Sequence, residues 1–172
     1  MATTSIYGLP YQGLTDPPDG PNLSQQLAEG VEAVLVDRRP MRNSGALSSL
    51  YTLTASFTDL SGTSMTFNVP TSSAIYLAHW SADCQLTTAG NVTAVIQLLV
   101  DGTAQSPQAL WNPGNVTNTA RASVGNSTSG ALVGAGNHNF RLQANRVFPS
   151  GTTGEIRLNN IHTQLSVLVI PL

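Results

Sequence analysis

From residue 48 to the carboxyl end the chain alternates in polarity, and that alternation constrains its fold more than any other feature. In "LYTLTASF" (50–57), Tyr51, Leu53, Ala55 and Phe57 share one face, while Thr52, Thr54 and Ser56 share the other. A period of two is that of a β-strand half-buried on a core. "MTFNV" repeats it through Met65, Phe67 and Val69, and "HNFRLQANRVF" sets Phe140, Leu142 and Ala144 against Arg141, Gln143 and Asn145. "AIYLAHW" (74–80) reads as a further strand. "VTAVIQLLVDG" (92–102) is almost continuously apolar, the pattern of a strand covered on both sides, and Asp101-Gly102 closes it with a turn signal. Near the end, Ile161, Leu165, Val167 and Val169 are expected on one face, with Asn159-Asn160 interrupting the pairing before them. Residues 102–137 are rich in Gly, Asn, Ser and Thr and read as long loops holding two or three short strands. Six to nine strands separated by turn clusters predict a mainly β fold, a jelly-roll β-sandwich over residues 48–172.

The chain before this region obeys different rules. Residues 1–21 contain Pro10, Pro17, Pro18 and Pro21, with Gly8, Gly13 and Gly20 between them. Proline removes amide donors and drives its predecessor to extended geometry, so a helix is excluded and a central strand disfavoured. Tyr7, Leu9, Tyr11 and Leu14 are too apolar for a solvated linker. They predict an extended anchoring arm that lies along another polypeptide. Residues 22–40 then read as a short helix for oligomerisation or docking. Asn22 is the expected N-cap with Gln25 at the capping-box position, and Leu27, Val31 and Val34 form an apolar stripe. Arg38 and Arg39 suit the negative end of the helix dipole, and Pro40 stops the helix. A helix of this length is marginal alone. Its narrow stripe fits the seam of a parallel bundle, so a homo-oligomer, a trimer, is expected. Trp80 or the 51–57 strand would supply the contact between β domains.

Charged residues are only 9% of the 172, against the roughly 25% usual in soluble domains. All seven cations are arginine and the net charge is −2. That balance offers nothing to nucleic acid, and a surface so poor in charge fits a subunit held in an assembly. No stretch approaches the roughly 20 apolar residues of a membrane span, so no membrane insertion is expected. Residues 1–15 lack a basic segment followed by an apolar run, which predicts synthesis in a cytoplasm without the secretory route.

The search for chemistry finds little. Cys84 is the single cysteine, so no internal disulfide can form. His79, His138 and His162 are too far apart in sequence for a local metal site, and neither metal nor cofactor is expected. A Cys84–His79 nucleophile pair would need the fold to bring the two together. Asp59, Asp83, Asp101 and Glu155 are the carboxylates of the β region. Asp101 directly precedes a turn glycine and Asp59 lies three residues before Gly62, so no acid/base pair stands out. No enzyme is expected. Trp111, beside Asn112-Pro113, is the candidate for an exposed contact, such as stacking on a sugar.

One stretch carries a resemblance. "YGLPY…LTDPPDGPNLSQQLAEGVEAVLV" resembles the N-terminal segment of structural proteins of tailed phages that infect actinobacteria: Tyr-Gly-Leu-x-Tyr, then Thr-Asp-x-Pro-x-Gly-Pro, then a short helix. It covers about the first 38 residues, and the absence of lysine fits a high-GC host. "IQLLVDG" and "GAGNHNFRLQA" have a generic similarity to trimeric jelly rolls of the tumour-necrosis-factor or complement C1q type. The resemblance implies a virion surface protein, made in the host cytoplasm, whose N-terminal segment docks on major capsid or tail proteins while its β domain faces outward. Two addresses are implied: a capsid decoration protein or head fibre, or a minor tail protein that attaches to a host cell-surface glycan.

Overall fold

A computed structural model describes residues 2–3, 10–11, 20–114, 120–148 and 153–172. Strands β1 (Ala2–Thr3) and β2 (Pro10–Tyr11) pair antiparallel, Ala2 opposite Tyr11. The contact expected of Tyr7, Leu9, Tyr11 and Leu14 falls outside the described residues and side chains.

Helix α1 runs Gly20–Asp37, starting two residues before the expected cap at Asn22 and ending three short of Pro40. The Gln25 side-chain amide donates to Glu29 one turn on, 2.8 Å away. The Arg38 N–H still reaches the Val34 carbonyl at 3.1 Å, and the Arg39 N–H bonds the Val36 carbonyl at 3.2 Å, tightening the last turn before proline ends it. No residue from 22 to 37 is buried. Leu27, Val31, Leu35 and Val36 are exposed and Val34 is half-buried.

Eleven further strands build the sandwich: β3 (Met41–Ala46), β4 (Tyr51–Thr52), β5 (Thr58–Asp59), β6 (Met65–Val69), β7 (Ser73–Thr88), β8 (Thr93–Val100), β9 (Thr103–Ala104), β10 (Ala109–Trp111), β11 (Arg121–Val133), β12 (Gly136–Val147) and β13 (Glu155–Pro171). The first sheet has the order β10-β8-β12, with β5 and β6 on the far side of β12 and β9 paired to β8. The second has the order β11-β7-β13, with β3 and β4 beyond β13. Eight strands carry the plan, and they pair as a hairpin folded over on itself. The first of them (β3) pairs with the last (β13), β6 with β12, β7 with β11, and β8 with β10. This nested pairing is a jelly roll.

The core lies between the sheets and is filled by Trp80, Ile96, Leu98, Phe140, Leu142 and Leu165, all fully buried. Phe140 stands edge-on to Phe67 (centroids 5.6 Å apart) and to Tyr76 (5.2 Å), so one ring joins β12 to β6 in its own sheet and to β7 in the other. Trp80 belongs here and not at a subunit contact. The β8 strand is covered on both sides, as its apolar run predicts. Even its outward Gln97 is buried, holding Gln108 at 2.8 Å and Gln143 at 3.1 Å.

Three local expectations fail for identifiable reasons. The 50–57 strand is only Tyr51–Thr52; Leu53 is buried, but Ala55 and Phe57 are exposed. The chain is crossing between sheets there. The Leu53 N–H bonds Ile156 of β13, while the Thr54 carbonyl accepts from Arg146 of β12, and the Thr54 hydroxyl turns the chain by donating to the Ser56 carbonyl at 2.8 Å. Ile161 is 74% exposed because the β13 register slips between Asn159 and Gln164. Ile161 lies among the extra β13 residues that have no partner on β7, and the inward pattern resumes only at Thr163. In the polar 102–137 stretch lies β11, a strand of 13 residues. Its register is imposed by β7 along its whole length, so it needs no apolar alternation of its own.

Candidate functional site

The second sheet presents its outer side to solvent, and the pleat sorts β7 in two. Ala74, Tyr76, Ala78, Trp80, Ala82, Cys84 and Leu86 enter the core, so Ile75, Leu77, His79, Ser81, Asp83 and Gln85 face out. Registers then lay out the outer face in rows. Ala131, Ile75 and Ile170 form one row; Ser129, Leu77, Leu168 and Arg42 the next; Ser127, His79, Ser166 and Ser44 the third.

The rows change character along the sheet. At the end nearest the helix exit the face is apolar, with Leu77 53% exposed and Val133 85% exposed. A depression of about 420 Å³ lies among Ile75, Leu77, Ser129, Leu168 and Ile170. A second, of about 330 Å³, continues past Arg42, His79 and Ser166. The third row sets three serines beside His79.

The far end is polar and internally paired. Asp83 is only 2% exposed although it faces out, because the Arg121 guanidinium lies over it. Arg121 Nε donates to Asp83 Oδ1 at 2.8 Å and Nη2 donates to Oδ2, a two-pronged grip. That grip holds the Asp83 carboxyl below the usual carboxylate range, against the opposing effect of burial. Arg157 donates to Gln85 at 3.0 Å, and Thr87 to Glu155 at 2.8 Å.

Helix α1 leads into this face. It ends at Asp37, and β3 begins at Met41, opposite Val169, one pleat from Ile170. Leu27, Val31, Leu35 and Val36 of the helix, and Ile75, Leu77 and Val133 of the sheet, are each exposed. Isolated exposed apolar residues mean little, whereas the adjoining Ile75, Leu77, Leu168 and Ile170 form one set on the sheet.

The other sequence candidates are scattered. Trp111 ends β10 half-buried and packs on the core, while its neighbour Leu110 is 61% exposed. Cys84 points into the core, and burial, with the nearby Asp83 charge, pushes its thiol up to about 12. His79 points to the opposite side of the same strand, so the two cannot meet. Asp59 accepts from Gln143 at 2.7 Å and lies 3.2 Å from Arg141. His138 bonds Asp101 at 2.7 Å across a turn. Among the described residues no three of His, Cys, Asp and Glu gather as a metal site needs, and no described helix is long and apolar enough to cross a membrane.

The outer rows of Ile75, Leu77, Leu168 and Ile170 are absent from the sequence reading. A signal was there: "AIYLAHW" is apolar on both of its faces, more than a strand with one solvated side requires.

No family model matches the chain, and no curated protein matches it. Solved structures similar to it include the Eiger TNF of S. frugiperda, at 12% identity over 78% of this chain and 94% of that one, with a TM-score of 0.49. Murine APRIL is similar at 10% identity over 76% of this chain and 98% of that one, with a TM-score of 0.45. The infectious bursal disease virus Gx strain is similar at 11% over 77% and 32%, with a TM-score of 0.40. At these values the jelly roll rests on the strand pairing itself, and nothing about partners passes to this chain.

Proposed function

We propose that this chain is a non-enzymatic virion structural subunit of a tailed phage, a capsid decoration protein or head fibre that self-associates, as a trimer, through the helix and the outer face of the second sheet. One observation carries self-association: a helix with no buried residue from 22 to 37 leads into a sheet face on which Ile75, Leu77 and Val133 stand exposed. Few charges oppose contact. The virion assignment is supported by the N-terminal motif.

A tail-tip subunit that binds a host glycan is the second reading, favoured by the exposed Leu110 beside Trp111 on the β10 edge of the first sheet. Both readings share a test. A variant lacking residues 1–21 is expected to fold and self-associate but to be missing from assembled particles. Its normal incorporation would refute the anchoring role, and labelling of the wild-type chain on intact particles separates head from tail.

A further inference from the structure

We propose that His138 is a pH-sensitive clasp whose protonated ring ties together two turns at one end of the sandwich, at the rim of the apolar face. The ring sits on β12 in line with Phe140 and is buried. Its Nδ1 lies 2.7 Å from Asp101 Oδ2, and its Nε2 lies 3.1 Å from the Gly134 carbonyl oxygen. Both partners accept: a backbone carbonyl has no hydrogen to give, and a carboxylate has none once ionised. A neutral imidazole carries one N–H and satisfies one of them, whereas an imidazolium carries two and satisfies both.

Each turn has its own further anchor, Asp101 on Asn139 of β12 and Gly134 on Ser72. Asp101 opens the Asp101-Gly102 turn between β8 and β9, with both residues at positive φ (50° and 80°), as a two-residue hairpin turn requires. Its Oδ1 accepts from the Asn139 N–H at 2.7 Å, and its own N–H bonds the Asn139 carbonyl at 2.9 Å. Gly134 belongs to the turn between β11 and β12, and its N–H bonds the Ser72 carbonyl at 2.8 Å. β11 ends one residue earlier, at the exposed Val133, so this turn frames the apolar end of the face.

No other described charge competes for the ring. β6 presents Phe67 opposite His138, the β11–β12 turn presents a carbonyl, and Phe140 follows on β12 itself; Asp101 is the carboxylate in contact. Burial taken alone would lower the ring's pKa. The Asp101 hydrogen bond, the Gly134 bond and the Asp101 charge together outweigh it and hold the ring above its ordinary value. A raised value sets the sign: the clasp contributes fully below the free-histidine value of about 6.5 and is lost as pH rises through the folded value.

NMR on the full chain tests this by following the His138 ring protons and the Asp101 and Gly134 amide exchange between about pH 5 and about pH 9. His138 is expected to titrate above free histidine. Both amides should lose protection, corrected for intrinsic exchange, as the ring deprotonates, by about tenfold for each pKa unit of the elevation. Asp101→Asn keeps the turn, because asparagine tolerates positive φ, and should move the titration to lower pH. Titration at or below the free value, or equal protection of both amides on either side of it, would overturn the clasp. So would an Asp101→Asn titration unchanged from wild type.

Discussion

Replacing Leu77 with aspartate tests the uncovered face without entering the core. Leu77 is already half solvated in the single chain, and its core-facing neighbours Tyr76 and Ala78 stay in place. Self-association would bury the exposed half, a contribution of about 1 kcal/mol per copy, near half the value of a fully buried leucine. An unpaired carboxylate desolvated in its place costs several kcal/mol more. A combined loss of about 4 kcal/mol raises the dissociation constant roughly a thousandfold, at about 1.4 kcal/mol per decade. Folding of the separate chain should change little, by under about 1 kcal/mol, the full span of strand propensities. Sedimentation equilibrium reads the first quantity and urea unfolding below the association range reads the second. A wild-type chain that is monomeric at all concentrations would refute the self-association. A Leu77→Asp chain that associates as wild type would remove this face from the interface and leave the helix alone to carry it.

Phe140→Ala should cost about 3–5 kcal/mol in chemical denaturation, because the ring fills the space between the sheets and touches both Phe67 and Tyr76. Gly130→Ala should destabilise by about 1–3 kcal/mol, since its Cβ would stand 2.7 Å from the Tyr76 ring, itself held at 3.0 Å by Gln105. The Asp83 carboxyl is depressed by its bonds to Arg121, so its stabilisation is present above the unfolded value of about 3.9 and is lost as pH falls through the lower folded value. Asp83→Asn should therefore flatten the acid limb of a stability–pH profile, and an unchanged limb would contradict the pairing. Cys84 should resist alkylation in the native chain near pH 8 and react only on unfolding, given its burial and a thiol pushed up to about 12.

The sequence alone determined the elements whose local chemistry admits one answer. Alternation placed β6 and β12 with their inward sides correct, because Phe67, Phe140 and Leu142 can leave water only on one side of a pleat. The unbroken run of β8 announced a strand covered twice. Asn22, the apolar stripe and Pro40 announced a short helix, found at Gly20–Asp37. Tertiary structure decided the rest, since those outcomes depend on partners distant in the chain. β11 is a strand because β7 lends it a register, not because "RASVGNSTSGALV" demands one. Residues 53–57 leave their pattern because the chain changes sheets there, and Ile161 faces water because it lies in the bulge of β13, without a partner on β7. The apolar face itself was a tertiary outcome. Ile75 and Leu77 lie on β7, while Leu168 and Ile170 lie about 90 residues later on β13, and only strand pairing sets the four side by side.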